Sequence, residues 1–334
     1  MIGRALVITT SYPAYADDPA GHFVRSECLG MAASGTGVTV LCPLRTCAVT
    51  DERVTVRALG GGDAFGWPGL GPRLRQNPLR AFGARAFAAR VRRTVVEEGR
   101  SFDAVVLHWP FPLATVLSPT LGRSRRTVEL VSHGACVRAL LALPRPMRTR
   151  WVRMATRHAS AWRFVSTELL GRLLDSLDGP ARADVGRIAV VAPSSLGLDP
   201  LERPTPRASN EAAVDGDEAQ PSSKPFAVVG RLVRKKRVDI ALHHVAHLAQ
   251  AASQVGSPPP HLVVVGDGPE GPALRSLAQA LGIDVDWKGQ LPRTKALALL
   301  RESRGLMFAS EAEGAPTVLR EARVLGVPVI DLRT

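Results

Sequence analysis

The sequence predicts two doubly wound α/β domains in series. Strand-like apolar runs alternate with longer amphipathic stretches, and this alternation breaks once, at a polar Pro/Ser-rich stretch. The 334 residues also exceed one ordinary core and suit two domains of roughly 150 each.

Before the break, Ala5–Thr9 and Val38–Cys42 read as strands with a helix over Val24–Ser34 between them. Ala104–His108, Thr127–Ser132, Trp162–Ser166 and Ile188–Val191 continue the strand series. The break itself, 200–225, carries Pro204, Pro206, Pro221, Ser222 and Ser223 around a polar run with no periodicity, and reads as a linker. It divides the chain into domains 1–199 and 226–334. After it come strands Phe226–Val229, His261–Val265, Asp284–Trp287, Gly305–Phe308 and Pro328–Ile330. Helices Val238–Ala252, Ala273–Leu281, Thr294–Glu302 and Pro316–Leu325 fall between them. Alternation of this kind implies parallel sheets covered on both faces, with two such domains facing a cleft. Ligands in such sheets bind beyond the carboxyl ends of the strands.

Composition narrows the class. The chain is 45% hydrophobic and 22% charged, as in a water-soluble globular protein. No window approaches the ~18 consecutive apolar residues of a membrane span, and Met1–Thr10 reads as a first strand and not as a signal peptide. Cys28, Cys42, Cys47 and Cys136 lack metal-site spacing, so neither a disulfide framework nor zinc is expected and a reducing cytoplasm fits. The net charge is +13, and residues 1–200 hold 26 Arg, no Lys and 15 carboxylates, about +11 of that total. Such an excess suits an acidic partner, such as substrate phosphates or an anionic membrane; a compositional bias toward solvated Arg explains it equally well. Nucleic acid is not expected, because no recognition module or aromatic stacking platform accompanies the charge. The stretch Leu79–Glu98 sets Phe82, Phe87 and Val91 among Arg80, Arg85, Arg90 and Arg93. It reads as an amphipathic helix packed on a sheet, or as one lying on anionic lipid at the inner membrane face.

Gly266-Asp267-Gly268-Pro269-Glu270-Gly271 follows a strand and opens a helix, matching a dinucleotide fingerprint, with Asp286 at the distance of a ribose-binding acid. Pro269 and Pro272 stiffen the turn, and the motif follows the second strand of its domain where a dinucleotide domain has it after the first. NAD is therefore not expected. A glycine turn at a strand end also suits close backbone approach to a base or ribose.

The stretch Glu311-Ala312-Glu313-Gly314-Ala315-Pro316 leads into a helix carrying Arg320 and Glu321. Pro316 suits the first helical position, and the free N–H groups there form an anion site. Glu313 stands at its mouth and Glu321 two turns along, ~12 Å away if all eight residues are helical. Each carboxylate accepts two hydroxyl hydrogen bonds, as a vicinal diol would offer. The alternative is a capping acid and a solvated helical Glu. Gly230-Arg231-Leu232-Val233-Arg234-Lys235-Lys236 lies at the carboxyl edge of the same sheet. Arg231 and Lys236 suit phosphate neutralisation, while Lys235 and Arg237 read as an exposed basic run.

GRLVRKK, VGDGPE, KGQLP and SEAEGAPTVLREARVLGVPVI, in this order and spacing, resemble family 4 of the glycosyltransferases, retaining enzymes of the GT-B fold with two Rossmann-like domains. In the first domain, Asp18-Pro19-Ala20-Gly21-His22-Phe23 resembles the family's glycine loop and Ser132-His133-Gly134 its His-Gly motif. The resemblance implies a metal-independent hexosyltransferase that takes a UDP- or GDP-linked sugar, uses no cofactor, and serves an unidentified acceptor. Arg231 and Lys236 would neutralise the leaving diphosphate. Glu313 would hold the donor sugar's hydroxyls, Glu321 the ribose, and the Gly314–Ala315–Pro316 segment would meet sugar or phosphate. Gly266, Gly268 and the Gln290–Leu291 turn would lie near the base, Gly21 near the diphosphate, and His133 beside the reacting sugar. Cys136 stands where the His-Gly motif usually continues to an acid. The chain stops at Thr334, where the resemblance implies a further glycine-rich segment and a closing helix, so the second domain reads as incomplete. A binding protein of the same fold and a nucleotide-sugar epimerase are the competing expectations.

Overall fold

The computed structural model describes residues 3–16, 18, 20–66, 69–114, 127–194, 224–311 and 316–333. The chain divides into two compact units, Met1–Gly197 and Leu198–Thr334. Nearly all of the expected linker lies outside the described residues, as do Glu313, Gly314 and Ala315.

In the first unit, seven strands form one sheet. They are β1 (Arg4–Ile8), β2 (Gly37–Cys42), β3 (Val54–Ala58), β4 (Ala104–His108), β5 (Thr127–Ser132), β6 (Ala161–Phe164) and β7 (Ala189–Val191). Their order is β3-β2-β1-β4-β5-β6-β7 and every pair is parallel. Parallel strands covered on both faces read as continuous apolar runs, which is why Ala5–Ile8 and Val105–Leu107 are buried residue after residue. β3 is not among the sequence expectations. Its VTVRA run is short, and only Val54 is buried, as suits a strand on the sheet's edge. The helix His22–Ala33 lays Val24, Cys28 and Ala32, spaced by four, against β1 and β2.

The helix Arg80–Glu98 buries Phe87, Val91 and Val95 with the same spacing, and the Phe87 ring meets Phe65 edge-on at 5.1 Å. Two of the three apolar residues that suggested a lipid-facing surface are thus core. Only Phe82, 72% exposed, points outward, next to Leu79 at 68%.

The second unit has β8 (Phe226–Val229), β9 (Leu262–Val265), β10 (Val285–Gly289), β11 (Gly305–Phe308) and β12 (Val329–Asp331), ordered β10-β9-β8-β11-β12 and again parallel. The helix Val238–Gln254 buries Val238, Ala241, Leu242 and Val245 against one face of this sheet. Leu297, Leu300, Val318 and Ala322 cover the other.

Each strand order reverses once, between β1 and β4 in the first sheet and between β8 and β11 in the second. At such a reversal the flanking loops diverge and open a crevice at the carboxyl ends. The loops that open there begin at Thr9 and after His108 in the first unit, and at Gly230 and Ala309 in the second. Among the described residues, no helix is long and apolar enough to cross a membrane.

Candidate functional site

In the second unit, the glycine fingerprint is used by the chain itself. Gly266 has φ +133°, and a Cβ there would lie 1.9 Å from the Gly230 carbonyl oxygen. At Gly268 a Cβ would lie 2.2 Å from the Leu232 oxygen. The turn is stitched to the loop after β8 by the N–H of Leu232 donating to the Asp267 oxygen at 2.9 Å and that of Glu270 to the Leu232 oxygen at 3.0 Å. Both glycines are thus dictated by backbone-to-backbone packing of two loops. Asp286, the would-be ribose acid of a dinucleotide site, pairs instead with Lys288 at 2.6 Å. The N–H of Gly266 donates to the Gly289 oxygen at 2.7 Å, which sets the Gln290–Leu291 turn next to the fingerprint.

The loop after β8 reaches the loop after β11. Lys236 lies across Gly230, its Cε 3.5 Å from the point a Cβ would occupy. Arg237 adopts a left-handed conformation (φ 47°, ψ 44°) that opens the helix Val238–Gln254. Its guanidinium holds Asp239 at 3.2 Å and Glu311 at 2.6 Å, and the N–H of Glu311 donates to the Lys235 oxygen at 2.9 Å. Arg237 is therefore not part of an unengaged basic run. It couples the two segments on which Arg231, Lys236 and the acidic motif stand.

The helix begins at Thr317, with Pro316 as its extended N-cap residue (φ −67°, ψ 116°) and not its first helical residue. Glu321 is consequently about one turn into the helix. The expected ~12 Å separation from Glu313, which presumed eight helical residues, does not apply. Nor is Glu321 a solvated helical acid. It is 7% exposed, and Arg293 Nη2 lies 3.1 Å from its Oε1. Arg293 begins the helix Arg293–Glu302, directly after the Gln290–Leu291 turn. Sequence reasoning passed over it because its partner is 28 residues away.

In the first unit, the space beside Gly21 (φ +70°) is filled by the backbone of Ser11 and Tyr12; a Cβ would lie 2.5 Å from the Ser11 oxygen. Glycine here closes the loop onto itself and starts the helix His22–Ala33. The next residues bring the two sequence motifs of this unit together. The Phe23 ring lies 5.0 Å and the Trp109 ring 4.4 Å from the ring of His133, centre to centre.

Behind His133 lies a polar cluster. His108, fully buried at the end of β4, stacks on His133 at 5.5 Å, with its Nδ1 3.2 Å from His133 Nε2. Glu27 Oε2 is 3.5 Å from His108 Nε2, and Arg163 bridges Glu27 to Glu129, contacting the latter at 2.6 Å. Burial first, and the neighbouring Arg163 charge as well, hold both imidazoles far below the ordinary histidine range, His133 at about 3. Both are neutral at pH 7. Burial raises the Glu27 carboxyl, opposed by Arg163. The Cys136 thiol donates to the His133 carbonyl at 3.0 Å and is held protonated, pushed up to about 11 by burial.

Residues 214–331, which include all five strands of the second sheet, match the family model of the glycosyl transferases group 1. Over these residues the chain resembles a group 1 glycosyltransferase domain. Solved structures match along nearly the whole chain. Sucrose-phosphate synthase from Thermosynechococcus elongatus is 16% identical, covers 98% of this chain and 81% of its own, and gives a TM-score of 0.68. HepE of Anabaena, solved in complex with UDP-glucose, is 15% identical over 99% and 80%, with a TM-score of 0.57. WaaG, a glycosyltransferase involved in lipopolysaccharide biosynthesis, is 14% identical over 98% and 80%, at 0.56. At these identities the likeness establishes the fold, which is that of the GT-B glycosyltransferases. No curated protein sequence matches. Within the matched span, the Arg231–Arg237 loop, the glycine turn and the Arg293–Glu321 pair all stand at the carboxyl ends of β8, β9, β10 and β11.

Proposed function

We propose that the chain transfers a sugar, with retention of anomeric configuration, from a nucleoside-diphosphate donor held by the group 1 domain. The observation that carries this reading is the coupling of the basic loop after β8 to the acidic loop after β11 by Arg237, Glu311 and Lys235. Transfer breaks the anomeric bond while negative charge grows on the diphosphate, and preorganised cations at that point lower the barrier. Arg231 and Lys236 are assigned that role. Glu321, held by Arg293, is assigned the ribose diol. Glu313 and the Gly314–Ala315–Pro316 segment are assigned the sugar and its phosphate, and Gly268 with Gln290–Leu291 the base. His133 is assigned a sugar hydroxyl, and no metal takes part.

The complex of HepE with UDP-glucose makes a UDP-linked donor the first to test. The acceptor is proposed to be met in the cytoplasm, at an anionic membrane face approached through Leu79 and Phe82, which are exposed beside Arg80 and Arg85. Cosedimentation with anionic vesicles, lost in Phe82→Asp, tests that contact; equal sedimentation of the variant removes it.

The deciding experiment is calorimetric titration with UDP, GDP and ADP in EDTA, beside Glu321→Ala, followed by a donor turnover assay. Micromolar binding of one nucleotide, lost in the variant, with sugar transfer, is the expected result. Binding without turnover would reduce the chain to a nucleotide-binding protein, and absence of binding by the folded chain would reject the reading.

A further inference from the structure

The polar cluster behind His133 is more than a satisfied core. Glu27 is acceptor-only when ionised, the form that its ion pair with Arg163 favours. The 3.5 Å approach of Glu27 Oε2 to His108 Nε2 is too long for a good hydrogen bond, yet both atoms are buried and neither has another hydrogen-bond partner among the described residues. A bare imidazole lone pair facing that carboxylate would be repelled, so His108 carries its proton on Nε2. His108 Nδ1 must then accept, and among the described residues its only polar contact is His133 Nε2 at 3.2 Å. His133 therefore also carries its proton on Nε2. Its Nδ1 is left as a lone pair with no hydrogen-bond partner among the described residues, on a half-buried ring gripped by Phe23 and Trp109.

We propose that Glu27 and His108 are positioning residues that lock His133 in the Nε2–H tautomer, so that its Nδ1 accepts a hydrogen bond from a sugar hydroxyl. The arrangement makes His133 a fixed acceptor and not a proton-removing base. Arg163 and Glu129 complete the charged surroundings, and the Cys136 thiol adds no charge. The tautomer assignment stands on the geometry alone, whereas the identity of the hydroxyl rests on the glycosyl-transfer reading.

The test is long-range proton–nitrogen NMR of the full chain labelled with ¹⁵N-histidine at pH 7, with His108→Phe and His133→Gln used to assign the two rings. The expected spectrum shows both rings neutral, each with a pyrrole-type Nε2 and a pyridine-type Nδ1. In Glu27→Gln, whose amide can donate to His108 Nε2 as well as accept from it, a second tautomer appears on both rings. A protonated Nδ1 on either ring of the unaltered protein overturns the proposal, and this needs neither a variant that folds nor any bound ligand. Unchanged tautomers in a folded Glu27→Gln overturn it equally. Transfer measured alongside is expected to fall about tenfold in kcat in Glu27→Gln with UDP affinity unchanged. A kcat equal to that of the unaltered enzyme removes the positioning role even if the tautomers shift. Because the spectra involve no substrate, the tautomer lock and the glycosyl-transfer reading can fail separately.

Discussion

Arg293 and Glu321 meet at 3.1 Å with side chains only 15% and 10% exposed, across 28 residues of sequence. A carboxylate this far out of water needs a cation, and removing one member of a buried pair costs about 3–5 kcal/mol because the other stays behind charged. Arg293→Ala is expected to lower the stability of the second unit by about 3 kcal/mol and to abolish nucleotide binding. The double variant Arg293→Met, Glu321→Leu should recover most of the stability while still failing to bind. Urea unfolding and titration with UDP separate the two effects; recovery of binding in the double variant would show that Glu321 holds no ribose.

Gly266 and Gly268 yield a second expectation with a sharp internal control. A Cβ at either would meet backbone oxygen at 1.9 or 2.2 Å, whereas at Gly271 the nearest atom is the movable Arg275 guanidinium at 3.2 Å. Gly266→Ala and Gly268→Ala are each expected to destabilise by more than about 3 kcal/mol, and Gly271→Ala by about 1 kcal/mol or less. If Gly268→Ala folded normally and lost only nucleotide affinity, the glycine would serve the ligand and not the chain.

Much of this was legible in the sequence, for reasons particular residues make plain. Ala104–His108, Thr127–Ser132, Phe226–Val229 and Gly305–Phe308 fall where the apolar runs put them, since a strand buried on both faces leaves an uninterrupted signal. β3 escaped because an edge strand carries only half of that signal. Phe23, two residues after Gly21, packs on His133, so the two motifs of the first unit meet. Glu27, His108, Arg163 and Arg293 were overlooked, and Arg237 was read as an exposed basic residue, for a shared reason: each owes its role to a partner 25 to 136 residues away, and spacing along the chain reports only near neighbours. The helical Glu313–Glu321 span failed locally, because Pro316 is extended and the helix begins only at Thr317.

The Arg237–Glu311 pair predicts a variant that separates stability from function. Its side chains are 35% and 60% exposed, so solvent screens the pair and its own contribution to stability is small. Its role is to hold one loop against another. Arg237→Ala is expected to unfold at nearly the same urea concentration as the unaltered protein yet to bind UDP about tenfold more weakly, because the two loops no longer share one geometry. Equal affinity in calorimetry would show that the coupling is not part of the donor site.

Arg231 tests the chemistry itself. Its side chain is exposed in the loop after β8, so its replacement should leave the fold intact. If it neutralises the diphosphate as the sugar departs, Arg231→Ala lowers kcat about 10²-fold or more, with a smaller change in KM. Turnover close to that of the unaltered enzyme would remove Arg231 from the reaction.

The two histidines of the first unit predict how stability depends on pH. Their folded pKa values lie below the unfolded value of about 6.5, so the unfolded chain takes up protons first as pH falls. Above pH 6.5 neither state is protonated and their contribution is complete. Below it, each depressed histidine removes up to about 1.4 kcal/mol per pH unit, and for His133 this continues toward pH 3. Glu27 opposes the trend, since a raised carboxyl binds its proton more readily when folded, but only as pH approaches the glutamate range. Between pH 6.5 and 5.5 the histidines therefore dominate. The unfolding free energy of the first unit, measured in urea, should fall across that interval by more than one histidine alone explains, and His133→Gln should remove about one histidine's share of the slope. A flat profile over the same interval would mean that one or both rings are charged in the folded state, with Glu27 as the counter-ion.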